Sequence, residues 1–178
     1  DVIFDDCRVP ASALIGGVEG QGFKTAMKVL DKGRLHIAAA CVGLAERIIV
    51  DMLDYAVGRK QFGKPLADFQ LLQALFADSK ADAYAARSMV LDAARRRDAG
   101  LDVSVEASCA KLFASEAVGR IADRNVQVHG GNGYIREYRA EQLFRDARLF
   151  RIYEGTTQIQ QIIIAKSLAT EARARAGL

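Results

Sequence analysis

Large parts of this sequence carry apolar residues three and four positions apart, and that spacing constrains the fold more than any other feature. It places the apolar side chains on one face of an α-helix, which must then be buried against another element. In one long stretch this face is lined mainly by small side chains: Ala107, Ala110, Ala114, Ala117 and Ile121. Small side chains permit close approach of neighbouring helices, so the sequence predicts a tightly packed helical core.

The same spacing predicts where the helices lie. The expected ranges are about 23–57, 67–98, 103–128 and 137–149, followed by a fifth helix from just after Gly155 to Glu171. Gly33 predicts a break within the first helix, and residues 172–178 are expected to fray. Long amphipathic helices with short links predict an all-α fold, namely an up-and-down four-helix bundle with an additional C-terminal helix.

Composition narrows the class of protein. With 178 residues, of which 51% are hydrophobic, the chain is expected to form one soluble globular domain with a sizeable core. The net charge of +3 is too small and too interspersed to indicate a nucleic-acid partner. Three cysteines without paired spacing exclude a zinc motif and favour a reducing compartment. Charged residues interrupt every apolar stretch before the roughly 18 residues that a membrane span requires.

The first residues differ from the rest. Residues 2–9 are predicted to be extended, and the glycines between positions 14 and 22 predict a flexible connection. We therefore expect residues 1–18 to be an extended segment and linker, and residues 19–178 to form the helical domain. The chain begins with Asp1 and shows no leader, so we expect no targeting segment and interpret the chain as part of a longer protein.

One carboxylate stands just before the last predicted helix. Gly155 allows a tight turn, and Thr156, like the threonine after it, suits the N-cap of the helix that follows. Glu154 is therefore predicted at a loop-to-helix junction. The apolar pair before it, Ile152 and Tyr153, is expected to shield the carboxylate from water and so to make it a stronger base.

Three further segments stand out. Residues 27–34 place an Asp and an Arg on either side of Gly33, and residues 59–66 form a turn between two predicted helices. Residues 127–134 read Gln-Val-His-Gly-Gly-Asn-Gly-Tyr. Taken singly, each pattern is also typical of an ordinary helix turn or C-cap. The last segment lacks the strand and the third glycine of a dinucleotide-binding fingerprint.

Together, these segments resemble, in order and spacing, the C-terminal helical domain of the acyl-CoA dehydrogenase family. The run Tyr-Glu-Gly-Thr-Thr-Gln-Ile-Gln at 153–160 resembles the catalytic-base segment of that family. The resemblance covers essentially the whole chain and implies α,β-dehydrogenation of an acyl-CoA thioester. Glu154 would remove the α-proton, its backbone N–H would hydrogen-bond the thioester carbonyl, and the β-hydrogen would leave as a hydride to FAD. Some members carry the base at the position of Gly33, which here leaves Glu154.

The resemblance also implies the ligand contacts. The residues expected to contact FAD, partly across a subunit interface, are Arg59, Gln61, Phe62, Phe69, Gln70, Gln127, Val128, His129, Gly130, Gly131, Thr156 and Gln158. The residues expected to contact the acyl-CoA are Asp31, Arg34 and Gly155. Arg59 would pair with the pyrophosphate, His129 would have no chemical role, and Gly33 would leave room for the acyl chain.

Partners follow from the same resemblance. They are an electron-transferring flavoprotein and further copies of the chain, as a dimer or tetramer, in a bacterial cytoplasm or the mitochondrial matrix. The N-terminal helical domain and the β-domain of the family are missing, and residues 1–18 resemble the end of that β-domain. Two alternatives remain open: a non-catalytic helical oligomerisation fragment, and an acyl-CoA oxidase that uses oxygen. The length of the acyl chain is not indicated.

Overall fold

The computed structural model describes the backbone of residues 1–178 and every side chain except those of Lys28, Asp31 and Lys32. Helices dominate this part of the chain, which confirms the predicted all-α class. The helices are α1 (Gly22–Gly58), α2 (Gln70–Asp98), α3 (Ser104–His129), α4 (Ala140–Leu149) and α5 (Thr157–Ala176).

Helix α3 is the centre of the bundle, because α1, α2, α4 and α5 all pack against it. The predicted small-residue face of α3 lies fully in this core, where Ala110, Ala114 and Ile121 are buried against α1 and α2. Helix α1 contributes Cys41, Ile48 and Met52, which are likewise buried. The predicted inner faces of these helices are therefore confirmed.

Helix α1 runs through Gly33 without interruption, so the predicted break is wrong. A glycine weakens a helix because it gains more freedom when unfolded, but it keeps the N–H and C=O groups that the helical hydrogen bonds need. Packing of the long apolar face against α3 outweighs that small cost.

Two helices begin later than predicted. Helix α2 starts at Gln70, because Pro65 leads into a short 3-10 turn at Leu66–Asp68 and Phe69 is extended. Helix α4 starts at Ala140 rather than near residue 137, since the 3-10 turn at Gly130–Tyr134 is followed by an extended Ile135.

The end of α5 also differs from the prediction, because the helix continues to Ala176 instead of fraying after Glu171. Gly177 adopts the left-handed conformation with a φ of 71°, and its N–H donates to the carbonyls of Ala174 and Arg173. This is the hydrogen-bonded end typical of a C-terminal glycine. Arg173 and Arg175 in the last turn add a favourable interaction with the helix dipole.

A minimal hairpin links α1 to α2. Strands β1 (Lys60–Gln61) and β2 (Lys64–Pro65) pair antiparallel, with Lys60 opposite Pro65. Phe62 and Gly63 form the tip, with φ values of 51° and 81°. Two consecutive positive φ angles match a type I′ hairpin turn, a conformation that glycine adopts easily and phenylalanine does not.

Residues 1–21 lie outside the bundle. Residues 2–9 form neither helix nor strand, bend at Asp5 and Asp6, and are exposed, with no strand partner among the described residues. Their origin as a segment of a β-domain stays a prediction. Among the described helices, none is both long enough and apolar enough to cross a membrane.

Candidate active site

The loop between α4 and α5 carries Glu154 at its C-terminal end. Glu154 has a φ of 54° and Gly155 a φ of 86°, so two consecutive residues are in the left-handed region. Thr156 then caps α5, since its Oγ1 accepts a hydrogen bond from the Ile159 N–H at 3.3 Å. The predicted junction and N-cap are both present. For a glutamate, the left-handed conformation costs roughly 1–3 kcal/mol, and such strain often marks a functional site.

The Glu154 carboxylate lies against the N-terminal third of α1, at Gly33. A Cβ built at Gly33 would overlap Oε2 of Glu154 and lie 3.0 Å from its Cδ. The space that Gly33 leaves is thus filled by the Glu154 side chain, although it was expected to leave room for an acyl chain. Oε2 is buried and has no hydrogen-bond partner among the described residues.

The apolar neighbours of Glu154 shield it less than expected. Ile152 and Tyr153 remain 51% and 37% exposed. The backbone of α1 at Gly33 therefore provides shielding of Oε2 that was expected from this pair. Helix α1 is distant in sequence, so only the folded chain reveals this contact.

Two buried polar side chains bind the backbone of the loop. The ammonium group of Lys111 on α3 donates to the Gly155 carbonyl at 2.7 Å. From α5, Nε2 of Gln160 donates to the carbonyls of Glu154 and Gly155 at 3.2 and 3.1 Å. Lys111 and Gln160 have no solvent exposure. The Gly155 carbonyl is therefore fixed from two helices.

Glu116 on α3 accepts hydrogen bonds from residues at both ends of the same loop. Its Oε1 accepts a hydrogen bond from Nε of Arg151 at 2.8 Å and another from Oγ1 of Thr157 at 2.7 Å. Arg151 lies before Glu154 and Thr157 opens α5, so one carboxylate ties the loop to α3 on either side of Glu154.

Burial changes the protonation behaviour of the groups around the loop. Desolvation lowers the pKa of Lys111, although nearby Cys41, Glu116 and Glu154 offset part of that effect. Burial raises the pKa of Cys41 to about 12, so the thiol stays protonated near neutrality. Desolvation also raises the pKa of Tyr153. None of the His, Cys, Asp and Glu groups whose side chains are described is arranged to hold a metal ion.

The residues expected to contact the acyl-CoA lie around this loop as far as they are described. Arg34 is buried on α1, directly after Gly33. Gly155 presents its carbonyl to Lys111 and Gln160 rather than to an open surface. The side chain of Asp31 lies outside the described residues. Contact of these residues with substrate remains a prediction.

The first segment expected to contact FAD lies at the far end of α1. Arg59 caps that helix through its N–H, which donates to the Tyr55 carbonyl, and its side chain is exposed. Gln61 and Gln70 are exposed beside it. Phe62 is 93% exposed at the hairpin tip.

The aromatic rings of this segment contact each other. Phe62 meets Phe69 edge to face at a centroid distance of 6.3 Å. The ammonium group of Lys64 lies 4.3 Å from the Phe69 ring centroid. The tip of the hairpin therefore combines apolar aromatic rings with the positively charged ammonium group of Lys64.

The second segment expected to contact FAD lies at the end of α3. Gln127, Gly130 and Gly131 are exposed, and nothing lies within 4 Å of a Cβ built at either glycine. The side chain of Val128 is instead buried against Met52, so any cofactor contact of this residue would be made by its backbone.

His129 packs and hydrogen-bonds within the fold, and its lack of a chemical role stays a prediction. Its ring stacks on Tyr55 at a centroid distance of 4.0 Å, and its Nδ1 lies 2.8 Å from the Asn125 carbonyl oxygen. The Tyr55 hydroxyl donates to the His129 carbonyl at 3.4 Å and accepts from Asn132 at 2.9 Å. These contacts hold the second segment beside the end of α1 that carries Arg59.

The candidate residues thus form two clusters. The base cluster surrounds Glu154, and the hairpin cluster contains Arg59 and residues 127–131. Arg59 lies 26 residues after Gly33 in α1, which corresponds to about 39 Å at the rise of an α-helix. On α3, Gln127 is 16 residues beyond Lys111, or about 24 Å. A single chain therefore holds the two clusters at opposite parts of the bundle.

Several residues of the base cluster did not emerge from the sequence. Only the spacing of Lys111 indicated a special role, because it places a charged residue on the same buried helical face as Ala107 and Ala114. Gln160 and Glu116 showed no such indication, since their roles depend on contacts between elements that are far apart in sequence.

Comparison with known proteins decides the family. Residues 20–169 match the sequence model described as the C-terminal domain of acyl-CoA dehydrogenases. The chain belongs to the acyl-CoA dehydrogenase family. The match includes both clusters and leaves out residues 1–19 and the end of α5 from residue 170 onward.

Relatives in this family share a large fraction of the sequence. The chain is 44% identical over 168 residues to the caffeyl-CoA reductase-Etf complex subunit CarC of Acetobacterium woodii, covering 94% of this chain and 44% of that protein. It superimposes on butyryl-CoA dehydrogenase from Megasphaera elsdenii with a TM-score of 0.82 and 41% identity, over 86% of this chain and 40% of that one.

A further solved structure concerns the electron transferring flavoprotein of Acidaminococcus fermentans and flavin-based electron bifurcation. The matching chain has a TM-score of 0.88 and 41% identity, over 93% of this chain and 43% of that one. The chain therefore spans less than half the length of each of these relatives.

Proposed function

We propose that the protein containing this chain is an FAD-dependent acyl-CoA dehydrogenase in which Glu154 removes the α-proton of an acyl-CoA thioester. The observation that carries the proposal is the Glu154 carboxylate, whose Oε2 is buried at Gly33 without a hydrogen-bond partner among the described residues. Leaving a buried carboxylate oxygen unpaired is costly for folding alone. A general base, in contrast, needs a lone pair that is free to accept a proton.

The hydrogens of the substrate leave in two forms. The α-proton goes to the Glu154 carboxylate, and the electron pair of that C–H bond becomes the second bond between Cα and Cβ. The β-hydrogen departs with its own electron pair as a hydride, and a bound FAD would supply the acceptor for it. The Glu154 backbone N–H is proposed to hydrogen-bond the thioester carbonyl, which would stabilise the negative charge that develops on the oxygen.

The hairpin cluster fits a ligand that is both anionic and aromatic. Open space beside Gly130 and Gly131 lets a phosphate group approach the backbone, and Arg59 offers a guanidinium group nearby. A phenylalanine as exposed as Phe62 is more stable when a ligand or a partner chain covers it. The proposed FAD contacts in this cluster are Arg59, Gln61, Phe62, Phe69, Gln70, Gln127, Val128, His129, Gly130 and Gly131.

Separation of the two clusters supports an oligomer. Thr156 and Gln158 adjoin Glu154 and would contact the FAD at that site. Arg59 and Gln127 lie roughly 20–40 Å away along the helices, so we propose that they contact the FAD of a neighbouring subunit. The assembled enzyme would then be a dimer or tetramer of this chain together with the family's remaining domains.

An electron-transferring flavoprotein is the proposed electron acceptor. Support comes from the similarity to a subunit of a caffeyl-CoA reductase-Etf complex and to a chain in the Acidaminococcus fermentans structure. The likeness to a reductase subunit also favours a second candidate, the reverse reaction. In that direction Glu154 would donate a proton to the α-carbon of an unsaturated acyl-CoA while a hydride reached the β-carbon.

The test uses the full-length enzyme. Replacement Glu154→Gln keeps the size of the side chain but removes its ability to accept the α-proton. The rate of flavin reduction by acyl-CoA in stopped-flow absorbance should fall about 10²- to 10⁴-fold, while the FAD content stays unchanged. Glu171→Gln, an exposed glutamate on α5, serves as the matched control. A wild-type rate in Glu154→Gln would refute the base assignment.

The same preparation separates the remaining alternatives. Net turnover with oxidised or reduced electron-transferring flavoprotein gives the direction of the reaction, and hydrogen peroxide production identifies an oxidase. A full-length protein without bound flavin would support the non-catalytic alternative. A panel of acyl-CoA thioesters of different length and branching would determine the substrate.

A further inference from the structure

Among the residues whose side chains are described, Lys111 is the largest that the fold buries completely. Burial of an ammonium group costs several kcal/mol unless hydrogen bonds and opposite charges compensate it. Its hydrogen bond at 2.7 Å goes to the Gly155 carbonyl, in the turn that carries Glu154. A buried methionine would fill the same core position without this cost, so the position of the ammonium group calls for an explanation beyond packing.

Gln160 contacts the same turn from a different helix, α5. Its side chain is fully buried, and Nε2 donates to the carbonyls of both Glu154 and Gly155. Oε1 of Gln160 is buried without a hydrogen-bond partner among the described residues. The Nε2 group of Gln160 thus donates to the two loop carbonyls, whereas its Oε1 accepts no hydrogen bond from the described residues.

The turn that these residues hold is strained. The backbones of Glu154 and Gly155 both adopt the left-handed conformation. A residue other than glycine keeps that conformation only when the surrounding structure fixes it. Oε2 of Glu154 has no partner among the described residues. The direction of the carboxylate therefore depends on the backbone from which it projects.

We propose that Lys111 and Gln160 are positioning residues, which hold the Glu154–Gly155 backbone and thereby aim the Glu154 carboxylate at the α-carbon of the thioester. The proposal rests on the proposed function, because it assigns these residues a role through the base. Displacement of a catalytic group by about 1 Å can cost about 10²-fold in rate. The two residues should therefore affect the chemical step far more than they affect binding.

The experiment compares Lys111→Met and Gln160→Met in the full-length holoenzyme. Both replacements keep a long side chain and remove the hydrogen-bond donors. Ser108→Ala, a buried residue on α3, and Gln161→Met, an exposed glutamine on α5, are the controls. We expect flavin reduction at saturating acyl-CoA to slow about 10²-fold in both test variants. The FAD content and the substrate concentration at half-maximal rate should stay near those of the wild type, as in the controls.

A double-mutant cycle separates positioning from general damage. If Lys111 and Gln160 act through Glu154, neither replacement should lower the residual rate of a Glu154→Gln enzyme further. Additive losses in that background would overturn the proposal. A wild-type rate in both single variants would also overturn it. If Lys111→Met lacks FAD or does not fold, Gln160→Met decides alone by the same criteria.

The outcomes also distinguish this proposal from the proposed function. A slow Glu154→Gln enzyme beside fast Lys111→Met and Gln160→Met enzymes would leave Glu154 as the base and remove the positioning role. A fast Glu154→Gln enzyme would remove the base itself.

Discussion

At the contact between Gly33 and Glu154, a substitution that stabilises helix α1 is expected to displace the carboxylate of the proposed base. A glycine inside a helix is less stable than an alanine by about 0.5–1 kcal/mol. A Cβ at this position would overlap the end of the Glu154 side chain, which is free to swing away. We therefore predict that Gly33→Ala in the full-length enzyme raises the melting temperature slightly and slows flavin reduction about 10²-fold.

Gly43→Ala is the matched control for this prediction. Gly43 lies in the same helix, and nothing is found within 4 Å of a Cβ built there. It should therefore give a similar rise in melting temperature, measured by differential scanning calorimetry, with an unchanged rate. Equal rates in Gly33→Ala and Gly43→Ala would show that the carboxylate does not need the space at Gly33.

Single residues also show which features of the site could be predicted from the sequence alone. The position of Glu154 and the N-cap of α5 at Thr156 were predictable, because a turn glycine and a capping threonine act on their immediate neighbours. Lys111, Gln160 and the fit of Glu154 against Gly33 were not, because each is a contact between elements that are distant in sequence. The place of Glu154 at the start of α5 was therefore predictable from the sequence, whereas the residues that hold its loop became visible only in the folded chain.

Between elements, α2 and α3 are joined by an ion-pair network around Asp82. Its carboxylate accepts hydrogen bonds from Arg120 at 2.7 Å and from Arg124 at 2.8 Å. Burial alone would raise the pKa of Asp82, but these hydrogen bonds outweigh it and hold the pKa below its ordinary value of 3.8. The network therefore stabilises the fold above that value, and its contribution is lost as the pH falls through the lower, folded-state pKa.

We predict that Asp82→Asn lowers the free energy of unfolding by about 1–3 kcal/mol at neutral pH, because two charge-assisted hydrogen bonds are lost. Below the folded-state pKa the difference from the wild type should shrink, since the wild-type carboxyl is then protonated as well. Urea unfolding at a series of pH values measures both effects. Asp54→Asn, which removes an exposed carboxylate from α1, should change little. A difference that is constant with pH would contradict the ionic origin.

The helices themselves were well predicted, whereas their ends were not. Apolar spacing located α2 and α3 because burial of one face extends over many residues. The starts of α2 and α4 depend on the short turns before them, at 66–68 and 130–134. Continuity through Gly33 depends on packing against α3. Such local and tertiary effects shift a boundary by a few residues without changing the apolar pattern.

At the scale of the whole molecule, large apolar side chains remain uncovered. The most exposed of them include Ile3, Phe4, Phe23, Phe62, Leu71 and Tyr134. Several of these lie before α1 or at the hairpin cluster, which are the parts expected to face the family's remaining domains and a neighbouring subunit. The distribution of apolar surface thus agrees with a chain whose site is completed by other parts of the assembled enzyme.

This incompleteness leads to a prediction for the isolated chain. The base cluster and the hairpin cluster lie roughly 20–40 Å apart along α1 and α3, so one copy offers each FAD only part of its contacts. Partial contacts must still offset the loss of translational and rotational freedom on binding, which costs at least about 4 kcal/mol. We therefore expect residues 1–178 alone to bind FAD weakly or not at all, and the Arg59→Ala substitution to change this affinity little.

In the full-length enzyme, by contrast, Arg59→Ala should lower FAD occupancy. Equilibrium dialysis with absorbance detection measures both proteins under the same conditions. A tightly bound, yellow isolated chain would show that one copy contains a complete flavin site, and the proposed sharing of FAD between subunits would then be wrong.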